Sequence, residues 1–280
     1  MNRLLFFYSF VHTNTGDKMR ILIIGGAGGI AYNTAKKFAM NNHLVYLCVH
    51  TNEQLETIKK RLKDESLLMH VFKLDILNKQ DLTLLDKIEY DVLWIHAGIG
   101  IGGSLLAMSV DNLKKNYKVN VFGIIRMLKK AYYRMEKNKI KGHIFVTSSV
   151  SRTLPFPFLG CYTSSRASLS MLVHTLNQEM KFLKSNITLS LIELGAYHTG
   201  FNQVMIDNKE QYLDKNSLFY KRRHSINRLQ RNIFRLIESD NIDKLSDYLV
   251  KNMTKKNPKF LLRYPKGQAL FVKMFEFFKM

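Results

Sequence analysis

The stretch that decides the fold and the site runs from Ile144 to Leu172 and reads IFVTSSVSRTLPFPFLGCYTSSRASLSML. Its first three residues form an apolar run that is typical of a short buried strand. It closes on a helical pattern in which Tyr162 and Arg166 stand four residues apart and therefore share one face of the helix. Ser149 lies at the end of the strand, where open α/β sheets place their functional groups. We expect a hydroxyl, a phenol and a fixed cation to meet there.

These three groups indicate acid–base chemistry. An ordinary phenol has a pKa near 10 and is a poor acid or base at neutral pH. A cation one helical turn away favours the phenolate form. The stretch therefore predicts a reactive tyrosine at the edge of the sheet.

A second motif lies near the amino end. The branched apolar run Arg20–Ile24 predicts a central parallel strand, and it leads directly into Gly25-Gly26-Ala27-Gly28-Gly29-Ile30-Ala31 and a helical pattern. A glycine-rich turn between strand and helix lets backbone N–H groups approach a pyrophosphate at the positive end of the helix. The turn predicts dinucleotide binding, although four glycines also fit a tight turn alone.

Ser149, Tyr162 thirteen residues later and a basic residue four positions further resemble the site of the short-chain dehydrogenase/reductase family, Ser and Tyr-x-x-x-Lys. The family lysine is replaced by Arg166. The resemblance implies that Tyr162 is the catalytic acid or base, that Ser149 orients the substrate oxygen and that Arg166 binds the nicotinamide ribose. Asn120-Val121-Phe122-Gly123 is similar to the family's Asn-x-x-Gly, which implies that Asn120 holds a relay water.

Further segments resemble the cofactor-binding motifs of the family. The glycine turn is similar to Thr-Gly-x-x-x-Gly-x-Gly, with Ile24 and Ala31 as departures, and implies contacts from Gly25, Gly28, Gly29 and Ile30. Other motifs resemble an Asp-Val pair at the adenine pocket, the end of Asn-Asn-Ala-Gly (here with His96) and Pro-Gly-x-x-x-Thr (here with Leu194). With the tyrosine and its cation, they imply contacts from Asp75, Ile76, Ala97, Gly98, Tyr162, Arg166, Gly195 and Thr199.

The residue after the second predicted strand, Leu44–Val49, bears on the choice of cofactor. A carboxylate there would bind the ribose 2′-hydroxyl of NAD. The sequence has His50 instead, and no carboxylate before Glu53. This pattern favours NADP and leaves NAD open. The other interpretation of His50 is a strand-end side chain that faces water.

Strands alternate with helices along the chain, without repeats or a linker, and predict one doubly wound α/β domain of the Rossmann type. The resemblance implies a seven-stranded, mostly parallel sheet with helices on both faces over residues 19–280, and a substrate lid at about 201–237. The helices over 110–137 and after Tyr162 imply a homo-oligomer, a dimer or a tetramer. Residues 1–18 are interpreted as an extension or an unused upstream start rather than a signal peptide.

The 280 residues carry a formal net charge of +21, which attracts anions in general. No nucleic-acid-binding signature accompanies the charge, so nucleic acid is not favoured, and neither is a membrane-surface role for the aromatic C-terminal helix. Cys48 and Cys161 have no metal-binding spacing, so we expect no metal and a reducing, cytoplasmic environment. No apolar run reaches the length of a transmembrane helix.

Two functions follow from these observations. The first is NADP-dependent hydride transfer to or from a small carbonyl or alcohol substrate. The second is a non-catalytic, dinucleotide-binding or structural relative of the family, which the departures at Ile24, His96, Leu194 and Arg166 favour. Retention of Asn120, Ser149 and Tyr162 favours the first, because a protein without chemistry has no need of all three.

Overall fold

The computed structural model describes residues 18–208, 213 and 215–278. Seven strands form one sheet in the order β3-β2-β1-β4-β5-β6-β7. Every neighbouring pair is parallel, so the sheet is parallel throughout rather than mostly. The strands are β1 (Arg20–Ile24), β2 (Leu44–Val49), β3 (His70–Lys73), β4 (Val92–Ile95), β5 (His143–Ser149), β6 (Thr188–Leu194) and β7 (Leu261–Tyr264).

Helices connect the strands and follow the last one. They are α1 (Gly29–Met40), α2 (Asn52–Asp64), α3 (Leu84–Lys87), α4 (Val110–Tyr117), α5 (Ile124–Lys137), α6 (Gly160–Phe182), α7 (Phe201–Asn208), α8 (Arg223–Ile237), α9 (Ile242–Met253) and α10 (Lys266–Phe278). The predicted lid contains α7 and α8. The predicted extension, apart from residue 18, lies outside the described residues.

Helices pack on both faces of the sheet because side chains of each buried strand alternate between the faces. In β1, Ile21 and Ile23 belong to an apolar cluster with residues of α1, α2 and α9. Leu22 and Ile24 belong to the opposite cluster, with residues of α3, α5 and α6. The fold is therefore the predicted doubly wound α/β domain.

The helix predicted over 110–137 is continuous but changes geometry. A π-helical segment, Lys118–Gly123, joins α4 to α5 and contains Asn120. Such wider turns are rare and occur frequently at functional sites. The side chain of Asn120 explains the position of this one, since it binds the backbone of Ile99 outside the helix.

Candidate active site

A cavity of about 1180 Å³ lies at the carboxyl ends of the strands. The strand order reverses between β1 and β4, and open α/β sheets bind ligands in the crevice at such a switch point. The glycine turn, Ser149 and Tyr162 all line this one cavity. The two motifs of the sequence, which lie more than a hundred residues apart, therefore face a common space.

The glycine turn has a shape that requires small residues. Gly25 has a φ of +91°, and a Cβ placed on it would lie 2.7 Å from Cα of Ala97. Its N–H and that of Gly26 donate to the carbonyl oxygen of Cys48, at 3.0 and 2.8 Å. These contacts fix the turn against the ends of two strands.

The amino end of α1 is open towards the cavity. Gly28 caps the helix without a side-chain hydrogen bond, and the first turn contains no acidic residue. A Cβ on Gly28 would meet nothing within 4 Å. Free N–H groups at the positive end of a helix, with space before them, fit the phosphates of a dinucleotide.

At one end of the cavity, Asp75 has two roles. Its Oδ1 accepts a hydrogen bond from the N–H of Leu77 at 2.8 Å, which shapes the turn after β3. Its Oδ2 lies 3.8 Å from Nε2 of His50, whose side chain is 67% exposed. Both residues line the cavity together with Ile76, as predicted for an adenosine pocket.

The Arg166 side chain lies in the wall of the cavity and is only 4% exposed. Its Nη1 donates to the carbonyl oxygen of Thr147 at 3.0 Å, and its Cζ lies 5.2 Å from the ring centroid of Tyr162. A Cβ on Gly98 would lie 2.3 Å from Nη2, so this glycine provides the space for the guanidinium. Among the described residues, Nε of Arg166 has no hydrogen-bond partner. A buried donor of this kind fits a ligand that brings an oxygen atom.

Tyr162 and Ser149 face the same space from different elements. Tyr162 lies in the first turn of α6, and its ring packs against that of Phe201 with centroids 5.7 Å apart. Ser149 ends β5, and its Oγ lies 2.8 Å from Oγ of Ser151 and accepts from the N–H of Ser151. The turn after β5 therefore holds the serine hydroxyl in place.

Asn120 is the one predicted site residue that does not line the cavity. Its side chain is fully buried; Oδ1 accepts from the N–H of Ile99 and Nδ2 donates to the carbonyl oxygen of Ile99, both at 2.8 Å. The amide thus fixes the loop that carries Gly98. The assignment of a relay water to Asn120 stays a prediction.

His96, which replaces an asparagine of the family pattern, is held by β5. Its Nδ1 lies 3.1 Å from Oγ1 of Thr147, and the same oxygen accepts from Nε1 of Trp94 at 2.8 Å. Burial, and secondarily the charge of Arg166, lower the pKa of His96 to about 3. The ring is therefore neutral at physiological pH and unsuited to serve as a general acid.

Two residues near the site were missed in the sequence. Glu193 is fully buried in β6; its Oε2 accepts from Nε of Arg263 at 2.5 Å, and its Oε1 pairs with Nε of Arg152 in the turn after Ser149. A single carboxylate within an apolar strand was the available signal, because a buried charge needs a partner. Gln268 on α10 lines the cavity and accepts from the N–H of Ala196 at 3.1 Å, and no motif indicates it.

The far end of the cavity is apolar. It is closed by side chains of α7, α8, α10 and the loop before α6. They include Phe156, Leu159, Phe201, Met205, Ile233 and Phe234. This end can accommodate a hydrophobic substrate or a hydrophobic part of one.

Neither metal chemistry nor a membrane span is indicated by the part of the chain that the structure describes. Residues 18–208, 213 and 215–278 contain no group of three or more His, Cys, Asp or Glu side chains placed to hold a metal ion. None of their helices is long and apolar enough to cross a membrane. Both cysteines are buried and unpaired.

An all-parallel sheet with a glycine turn at its switch point defines an NAD(P)-binding protein of the Rossmann class. A family model described as short chain dehydrogenase matches residues 19–210. The chain belongs to that family.

The chain is similar to several characterised proteins. It is 27% identical to human 17-beta-hydroxysteroid dehydrogenase type 1 over 208 residues, which cover 71% of this chain and only 62% of that enzyme. It is 26% identical to 3-ketodihydrosphingosine reductase of Bacteroides thetaiotaomicron over 262 residues, 90% of each chain. A short chain dehydrogenase/reductase of Burkholderia phymatum, solved with NAD, shares the fold with a TM-score of 0.76 and 18% identity, covering 91% of this chain and 92% of that one.

Proposed function

We propose that this chain is an NADP-dependent oxidoreductase that interconverts a carbonyl and an alcohol. One observation carries the proposal: Ser149, Tyr162 and Arg166 line the same cavity as the glycine turn. The relatives named above carry dehydrogenase and reductase names, which supports the same reaction class. When bound, a nicotinamide dinucleotide supplies or accepts the hydride.

The side chains of the cavity supply the proton and the orientation. Tyr162 donates its phenolic proton to the substrate oxygen during reduction and accepts it during oxidation. Ser149 donates a hydrogen bond to the same oxygen and stabilises the negative charge that develops there. Ser151 holds the serine oxygen before the substrate arrives.

Arg166 acts as a fixed positive charge beside the phenol. Its position above the ring stabilises the phenolate that forms when Tyr162 gives up its proton. Its unpartnered Nε suits a ribose hydroxyl. Because a guanidinium keeps its proton at all physiological pH values, Arg166 does not relay protons, and Tyr162 is reprotonated from the solvent in the cavity.

The choice of NADP rests on the end of β2. His50 stands where a carboxylate would select NAD, and its exposed ring leaves room for a phosphate. Asp75, 3.8 Å from this ring, is the nearest opposing charge. The preference is therefore modest, and NAD is the second cofactor of the proposal.

The alternative function is a non-catalytic family member. The observation that favours it is the Arg166 guanidinium, which stands in place of a lysine and uses one of its donors on Thr147. A cation held in this way can complete a binding site without supporting turnover. Cofactor binding is common to both functions, and substrate turnover separates them.

The experiment is a turnover assay with purified chain, NADPH and a panel of ketones, aldehydes and quinones. We expect NADPH consumption with at least one substrate, and a loss on the order of 10²–10⁴-fold in Tyr162→Phe with NADPH binding unchanged. Tyr133→Phe is the matched control, because Tyr133 is 65% exposed on α5. Binding without turnover across the panel would favour the alternative, and no binding would end both.

Two further properties belong to the proposal. Exposed apolar side chains on α5, α6 and the π-helical segment, including Phe122, Tyr133, Met171 and Leu172, suit a contact between two copies of the chain. The two unpaired cysteines fit a reducing compartment such as the cytoplasm. Sedimentation of the purified chain tests the first property.

A further inference from the structure

The outer face of α8 carries a concentrated positive charge. Residues 221–237 contain six arginine or lysine residues and no aspartate or glutamate. Arg228, Arg231 and Arg235 are all exposed and follow one another at spacings of three and four, so they lie along one side of the helix. They point away from the protein, because Ile226, Gln230 and Phe234 form the buried side.

Exposed leucines border this row of arginines. Leu229 is 55% exposed and Leu236 is 84% exposed, and their spacing of seven places them on one stripe beside the cations. Leu218, in the turn before the helix, is 85% exposed. A purely solvated helix face has no need of large apolar side chains among its charges.

The same surface surrounds the mouth of the cavity. Val204 on α7 and Leu229 on α8 both line the cavity, and both are more than half exposed, at 54% and 55%. The rim is therefore apolar and lies directly beside Arg228. The face that carries the charge is also the face through which the apolar end of the cavity opens.

We propose that this face, formed by α8 and the rim residues Val204 and Leu229, docks on the surface of an anionic lipid bilayer. The arginines complement lipid phosphates and carboxylates, and the leucines enter the boundary between head groups and acyl chains. Nucleic acid is the less suitable partner, because exposed leucines gain nothing from a phosphate backbone.

Docking in this orientation places the cavity mouth against the bilayer. Resting on the proposed function, the substrate is then an amphipathic carbonyl or alcohol compound that enters from the lipid, with its apolar part among the side chains of α7 and α8. Docking itself does not depend on turnover, so the two statements fail separately.

The experiment is co-sedimentation of the full chain with vesicles of phosphatidylcholine alone or of an equimolar mixture with phosphatidylserine. We expect binding to the anionic vesicles only, weakened by salt. The triple variant Arg228→Glu, Arg231→Glu, Arg235→Glu should bind on the order of 100-fold less, since each basic residue near such a surface contributes roughly fivefold. Leu218→Ser with Leu236→Ser should weaken binding by a smaller factor.

The matched control reverses three charges elsewhere. Lys59→Glu, Lys60→Glu and Lys63→Glu change exposed residues of α2 and remove the same net charge. Equal losses in both triple variants would overturn the proposal, because binding would then follow net charge alone. Retention on neutral vesicles, or tighter binding to duplex DNA than to anionic vesicles, would also overturn it. Turnover of a water-soluble ketone, unchanged in the arginine variant, would show that the reaction is independent of docking.

Discussion

The guanidinium of Arg166 is fixed to the end of β5, because its Nη1 donates to the carbonyl oxygen of Thr147 at 3.0 Å. This bond determines where the positive charge beside Tyr162 lies. It also distinguishes arginine from lysine at this position, since an ammonium group is more compact and can exchange its proton.

Substitution of Arg166 therefore separates charge from proton relay. We expect Arg166→Lys to raise kcat by up to about tenfold and Arg166→Met to lower it by about 100-fold, because only the second removes the charge. Steady-state kinetics of the three proteins at saturating NADPH check this. A lysine variant slower than the parent would show that the guanidinium geometry is required.

The Glu193 carboxylate stabilises the turn after Ser149. Glu193→Gln would leave Arg152 and Arg263 facing a neutral group in a buried site, and we expect a loss of about 3–5 kcal/mol in the free energy of unfolding. Urea unfolding measures it, with Glu89→Gln as control, because Glu89 is 77% exposed in its pair with Arg20. Similar losses in the two variants would contradict the clamp.

His96 makes stability depend on acid pH. Its pKa is lowered to about 3 in the folded chain, whereas an unfolded histidine titrates near 6.5, so the unfolded state binds the extra proton first. Stability from this residue is therefore complete above pH 6.5 and falls as the pH decreases towards 3.

In His96→Asn, the decline in unfolding free energy between about pH 7 and pH 5 should be smaller by up to about 2 kcal/mol, less where cavity water reaches the ring. His43 and His143, whose pKa values burial also lowers, contribute in the same direction and remain in both proteins. The exposed His224→Asn is the control. An unchanged pH slope in the His96 variant would refute the assignment.

His50 provides a test of cofactor choice. A carboxylate at this position would bind the ribose 2′-hydroxyl and repel a 2′-phosphate. We expect His50→Asp to weaken NADPH binding by at least tenfold and to strengthen NADH binding, as measured by titration of each cofactor. Parallel changes in both affinities would mean that the side chain acts on the shape of the pocket only.

Local sequence determined the strands, the glycine turn and the cofactor-facing residues, because each depends on neighbours within a few positions. The run Arg20–Ile24 is buried because it is apolar, and Gly25 adopts a positive φ because it has no side chain. The role of Asn120 was only partly predicted: its burial was expected, while its bond to Ile99 depends on a loop 21 residues away.

The tertiary structure alone decided which distant groups meet. Gln268 reaches Ala196 across 72 residues, and Glu193 meets Arg263 across 70. The exposed rim beside the arginines of α8 likewise exists only once α7 and α8 close the cavity. Periodicity and motifs record what each segment buries, but contacts between segments depend on how the helices pack on the sheet, which no single segment encodes.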